Sequence, residues 1–137
     1  MTPGRGARGR PWTRWLAALL VVTWLAAFTA THLPKEAVPE IPATDWTLHL
    51  VGYFVLAGLF AGALTACGVR RARRAALAVS VFAAYAAFDE ITQPLVNRHA
   101  SVHDWLADLI GVVLALAAWE VAVAVWQRRS RARQRPG

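Results

Sequence analysis

The sequence predicts an all-α fold, an integral membrane four-helix bundle, and three observations predict it. Apolar residues make up 57% of the 137 residues and charged residues only 17%, whereas a soluble domain carries about 25% charged residues. The apolar residues fall into four separate runs, each near the ~20 residues that a helix needs to cross a bilayer. The charge is segregated between those runs: Arg5, Arg8, Arg10 and Arg14 precede the first, Arg70, Arg71, Arg73 and Arg74 lie between the second and third, and Arg128, Arg129, Arg131, Arg133 and Arg135 follow the last.

The elements follow in order. Residues 1–14 form a basic N-terminal segment, and residues 127–137 a basic tail. Between them, residues 15–126 form one membrane domain. Its first span, 15–31, meets the lower length limit of about 17 residues and is bordered by Arg14 and His32. The second, 46–69, is interrupted only by His49. The third is too short if it stops at Phe88; extended over 75–93 it reaches spanning length and takes in Asp89 and Glu90. The fourth, 105–126, contains Asp108 and Glu120. Trp12, Trp15, Trp46, Trp105 and Trp126 lie near span ends, where amphipathic rings favour the headgroup level. The segment HLPKEAVPEIPATD, with three prolines, reads as an ordered coil.

The arginine clusters set an orientation, because positively charged loops stay on the cytoplasmic side. The N-terminus, the 70–74 loop and the tail are expected in the cytoplasm, and the 32–45 and 94–104 loops outside, in a multi-pass membrane protein. A cleaved signal peptide is the rival reading of residues 5–28, but cleavage after Ala30 would set bulky Phe28 where a small residue is preferred, so a retained anchor is expected. A pI near 11.3 does not point to nucleic acid, since the basic clusters flank apolar spans instead of covering a soluble face. Cys67 is the only cysteine, which excludes a disulfide within the chain and a CxxC site; in an apolar run it reads as a small buried thiol.

The chemistry-bearing residues recur at helical spacing. Asp45, His49 and Tyr53 are four apart. A rotation of about 100° per residue sets them on one stripe, where the Asp can fix the imidazole tautomer. Asp89 and Gln93 share a face at the end of the third span, with Glu90 about a quarter-turn away, and Pro94 predicts that the helix kinks or stops there. Two adjacent carboxylates in a poorly solvated place resist double ionisation unless a cation is bound, and they are unfavourable at a helix C-terminus. Asp104, Asp108 and Gly111 open the fourth span on one face. Asp104 suits an N-terminal cap, and Gly111 allows close approach of a helix or ligand. All three stripes lie at the outer ends of their spans, so they are expected to converge with Arg98 on one outward-facing site, with His49, His99 and His103 able to titrate. Arg98 is the partner for a carboxylate, or for a ligand phosphate or carboxylate. Gly58 and Gly62, opposite His49, read as helix-packing residues, and Glu120 as a structural acid neutralised by Arg128 and its neighbours.

Asp45, His49, Tyr53, Asp89, Glu90, Gln93, Arg98, Asp104 and Gly111, in this order and spacing, resemble the motif of the VanZ-like family of small bacterial membrane proteins. Trp46 stands where that family often has lysine, and Asp108 where it often has asparagine, so the charge balance of the site differs. The resemblance implies a cell-envelope protein linked to glycopeptide-antibiotic tolerance, and no established reaction. The leading expectation is a site that binds or processes a membrane-associated envelope component, lipid-linked or peptidoglycan-related; a catalytic form would use Glu90 or Asp89 as acid or base with His49 as partner. Two alternatives stand beside it: a divalent metal held by the same Asp, Glu and His residues, and a non-catalytic network that packs helices or docks a partner. No nucleophilic serine motif or phosphate-cradling glycine loop is present.

Overall fold

A computed structural model describes residues 11–34 and 43–134. Among these residues the chain is all-α, with four helices long and apolar enough to cross a membrane and no strand. The protein is an integral membrane four-helix bundle. Residues 1–10, 35–42 and 135–137 lie outside the described residues, and with them the expectations for the proline-rich part of the 32–45 loop and for Arg5, Arg8, Arg10 and Arg135.

Helix α1 is Pro11–His32. Proline at the first position costs no hydrogen bond, and Leu33 precedes Pro34, which disfavours further helix. Helix α2 is Asp45–Ala66 and starts at Thr44, whose hydroxyl accepts from Thr47 N. It stops three residues before Val69, the end expected from hydropathy. Gly68 takes φ +74° and donates to Thr65 O while Val69 N reaches Leu64 O; a glycine in the left-handed region ends the helix. Helix α3 is Arg71–Thr92 and passes directly into a 3-10 turn, Gln93–Val96, closed by Asn97 at φ 60°. Pro94 lies in the first two positions of that turn, where its missing N–H does least harm. Helix α4, Val102–Arg133, has 32 residues and is ~48 Å long at ~1.5 Å per residue. It therefore outruns the hydrocarbon and carries the arginines of the tail on its last turns.

The short connections make successive helices antiparallel, so α2 and α4 run the same way. Their backbones come very close: a Cβ added at Gly111 would lie 2.4 Å from Leu50 O. Further along, Gly62 faces the Trp119 ring, and Trp119 Nε1 donates to Thr65 Oγ1 at 3.0 Å. Helix α3 covers this pair. The core is Tyr53, Leu56 and Ala57 of α2, Ala78, Phe82 and Ala86 of α3, and Val112 and Ala115 of α4, with Leu20, Trp24 and Ala27 of α1 packed against it. Trp24 stacks on Phe82 with centroids 5.2 Å apart. The large exposed apolar side chains, among them Trp15, Ile91, Leu95, Val102 and Trp126, suit a lipid surround. Cys67 is exposed, not buried as its apolar run suggested, because α2 ends at Ala66 and Cys67 is its C-cap.

Candidate functional site

The alternation of the helices brings the C-terminal ends of α1 and α3 and the N-terminal ends of α2 and α4 to one end of the bundle. Arg14, Arg70–Arg74 and Arg128–Arg133 gather at the other. Ionisable groups buried among apolar helices are costly unless hydrogen-bonded or neutralised, and the polar end buries several. His49 is 6% exposed, Asp89 1%, Glu90 6% and Asp108 0%.

His49 Nδ1 lies 3.0 Å from Asp108 Oδ1, linking α2 to α4, and 3.9 Å from Glu90 Oε1 of α3. Glu90 Oε2 accepts from Ser101 N at 2.5 Å. Glu90 Oε1 and Asp108 Oδ2 are buried with no hydrogen-bond partner. Asp89 accepts from Gln93 Nε2 at 3.3 Å and from Thr31 Oγ1 of α1 at 2.8 Å. His32, next to Thr31, bonds Thr92 Oγ1 through Nε2 at 2.8 Å. All four helices therefore contribute to one buried polar centre.

Of the residues singled out from sequence, the fold brings together His49, Asp89, Glu90, Gln93 and Asp108. It sets others apart. Asp45 is at the rim, 47% exposed, with Arg98 NH2 3.7 Å away. Arg98 does not reach the buried carboxylates. It donates to Ala30 O at 3.0 Å, because the last carbonyls of α1 have no intrahelical partner and a cation there also suits the helix dipole. Tyr53 leaves the polar stripe for the aromatic core, stacking with Tyr85 at 5.8 Å; its hydroxyl is buried with no hydrogen-bond partner. Asp104 is not the cap residue of α4: Ser101 caps it, its hydroxyl accepting from Asp104 N at 3.2 Å. Gly111 admits a helix, the α2 backbone at Leu50, and not a ligand. His99 and His103 are exposed.

At the opposite end Glu120 is held by Arg74 and by Arg71 at 3.3 Å, not by Arg128. Helix α4 carries Arg128 eight residues, about 12 Å, further along its axis, whereas the start of α3 comes alongside Glu120. Sequence reasoning passed over Thr31, His32, Thr92 and Ser101. The usable signal was a Thr-His pair closing an apolar run at the same end as the acids.

Beside Glu90 lies a groove of about 380 Å³ lined by Ala87, Glu90, Ile91, Ala100, Ser101, Val102 and Trp105. Its walls are apolar and its polar floor is the Glu90–Ser101 pair. The Trp105 indole N–H is buried with no hydrogen-bond partner. Apolar walls around a few polar groups are the usual make-up of a ligand site, and this volume falls within the common range of about 300–1,000 Å³.

Four spanning helices joined at one end by a buried carboxyl–imidazole cluster define a multi-pass membrane protein with a polar centre among its helices. The chain belongs to the VanZ/LLP1 family, whose family model matches residues 10–123. Comparison with curated proteins and with solved structures gives no significant match.

Proposed function

We propose that the polar end of this VanZ-family bundle is an outward-facing site that binds a membrane-associated component of the cell envelope, lipid-linked or peptidoglycan-related. The observation that carries the reading is the groove bordered by Glu90. A lipid-linked molecule can lay its chain between Ile91 and Val102 and bring its polar part to Glu90 and Ser101 at the floor of the groove. A fully water-soluble ligand would gain nothing from those walls. The positive-inside rule supports the orientation: with the arginines at the other end in the cytoplasm, the polar centre faces the outer leaflet of the plasma membrane and both termini are cytoplasmic. Membership of the VanZ/LLP1 family supports extending the proposal to glycopeptide tolerance.

The test is substitution of Glu90 by Gln, Trp105 by Ala and Arg98 by Ala, one at a time, with membrane abundance and glycopeptide susceptibility measured together. Loss of tolerance at normal abundance in the Glu90 and Trp105 variants is the expected result. Unchanged tolerance in all three would overturn the proposal. A second reading, that the cluster is a helix-packing network without a ligand, is favoured by the bonds His49–Asp108 and Thr31–Asp89, which join separate helices. That reading expects abundance and tolerance to fall together.

A further inference from the structure

We infer that His49, Asp89 and Glu90 form a binding site for one divalent cation of the borderline class, such as Mn2+ or Zn2+. The inference deepens the reading of this end of the bundle as a ligand site, and rests on it. An imidazole nitrogen of His49 and one carboxylate oxygen each of Asp89 and Glu90 lie within 4.8 Å of one another, and all three residues are buried. Neighbouring ligand atoms around such an ion, each ~2.0–2.2 Å from it, are separated by roughly 3–3.5 Å. The three atoms need to draw in by ~1–2 Å, a distance on the scale of a side-chain torsion change.

Three further observations point to a cation rather than to a set of shared hydrogen bonds alone. Glu90 Oε2 is held by Ser101 N, while Glu90 Oε1, 3.9 Å from His49 Nδ1, is buried with no hydrogen-bond partner. One oxygen is thus fixed and the other is left to ligate. Among the described residues no lysine or arginine bonds to Asp89, Glu90 or Asp108, so the only groups near these three buried carboxyls that can carry positive charge are imidazoles, and a dication supplies the missing positive charge. The supporting contacts are those that metal ligands require. Asp108 Oδ1 accepts the His49 Nδ1–H at 3.0 Å, which leaves Nε2 as the ring nitrogen that ligates, and Thr31 Oγ1 and Gln93 Nε2 donate to Asp89, as outer partners do around bound ions. The donor set selects the class. Ca2+ takes six to eight oxygens and Mg2+ keeps its waters, whereas a nitrogen with a few carboxylates suits Mn2+ or Zn2+.

The full-length protein, purified in detergent and stripped with a chelator, is titrated with Mn2+ and separately with Zn2+. One ion per chain is expected. Glu90→Gln and His49→Gln should each weaken binding at least about tenfold, while Glu90→Asp restores part of it. A His99→Gln, His103→Gln double variant controls for zinc held by exposed imidazoles and should bind as the wild type does. Helix content is recorded for every variant, and the wild-type stoichiometry is decisive even if a variant misfolds. Substoichiometric binding of both ions by the wild-type chain, or undiminished binding by folded Glu90→Gln, overturns the inference. Because binding is read on purified protein, an ion bound without any glycopeptide phenotype would fault only the envelope proposal. A phenotype that depends on Glu90 without a bound ion would fault only the cation.

Discussion

His49 Nδ1 meets Asp108 Oδ1 at 3.0 Å one turn before the place where Gly111 lets α4 touch the α2 backbone at Leu50. The pair thus sits beside the tightest helix crossing in the bundle, and both groups are almost fully buried. Asp108→Asn keeps an oxygen that can accept from the imidazole N–H, so it should cost no more than ~1.5 kcal/mol, the net worth of an ordinary hydrogen bond. Asp108→Leu removes the acceptor and strands the imidazole, and should cost roughly 3–5 kcal/mol, the range for breaking a buried pair. Unfolding in detergent with increasing denaturant measures both. Equal losses in the two variants would contradict the hydrogen-bond account.

Gly58 and Gly111, both on the α2–α4 face, should respond in opposite ways. At Gly111 an added Cβ would stand 2.4 Å from a backbone oxygen, which cannot rotate aside, so Gly111→Ala must push the helices apart. Overpacking of this kind costs typically ~1–3 kcal/mol. At Gly58 a Cβ meets nothing within 4 Å, and alanine is a better helix former by about 1 kcal/mol. Gly58→Ala should therefore hold or raise the melting temperature in detergent, while Gly111→Ala lowers it.

Much of this was legible in the sequence because two signals are one-dimensional. Hydropathy marks four runs, and a four-residue spacing marks which polar residues share a helix face; parity then brings the Asp45–His49 end, the Asp89–Gln93 end and the Asp104–Asp108 end together. Depth and helix adjacency are not one-dimensional. Tyr53 and His49 lie on one stripe, yet one turn of depth takes Tyr53 out of the polar centre and into the Trp24–Phe82 aromatic core. Arg98 does meet a carboxylate, Asp45 at the rim, but its guanidinium also closes the end of α1 through Ala30 O instead of entering the buried cluster. The same blindness to which helices touch hid Thr31 and His32, and gave Glu120 to Arg128 when α3 supplies Arg74.

Helix α1 should be retained in the mature protein. Trp24 stacks on Phe82 and meets the edge of Tyr85 at 4.9 Å, and Arg98 closes the helix through Ala30 O. Removing residues up to Ala30 would strip one side of the aromatic core. The intact mass of protein purified from membranes should include residues 15–30. Trp24→Ala should destabilise the bundle by about 3–5 kcal/mol, the usual cost of deleting a packed aromatic. A mature mass that begins after Ala30, with Trp24→Ala indistinguishable from wild type, would show that α1 is dispensable.

The two arginines on Glu120 should prove unequal. Both reach its carboxylate, but the Arg74 side chain is 7% exposed and also donates to Val69 O at 3.2 Å, whereas the Arg71 side chain is 77% exposed. An exposed ion pair is screened by water and its flexible arm gains little, typically ~0.2–1 kcal/mol. A buried partner is different, because its removal leaves the part-buried Glu120 carboxylate with only the water-screened Arg71 beside it. Arg71→Ala should therefore change stability by less than ~1 kcal/mol, while Arg74→Ala costs roughly 3 kcal/mol or more. In a double-mutant cycle with Glu120→Gln, the Arg74 coupling should be the larger and should change little between low and high salt. The smaller Arg71 coupling should fade as salt screens it. Couplings of equal size and equal salt dependence would mean that burial does not set the strength of this contact.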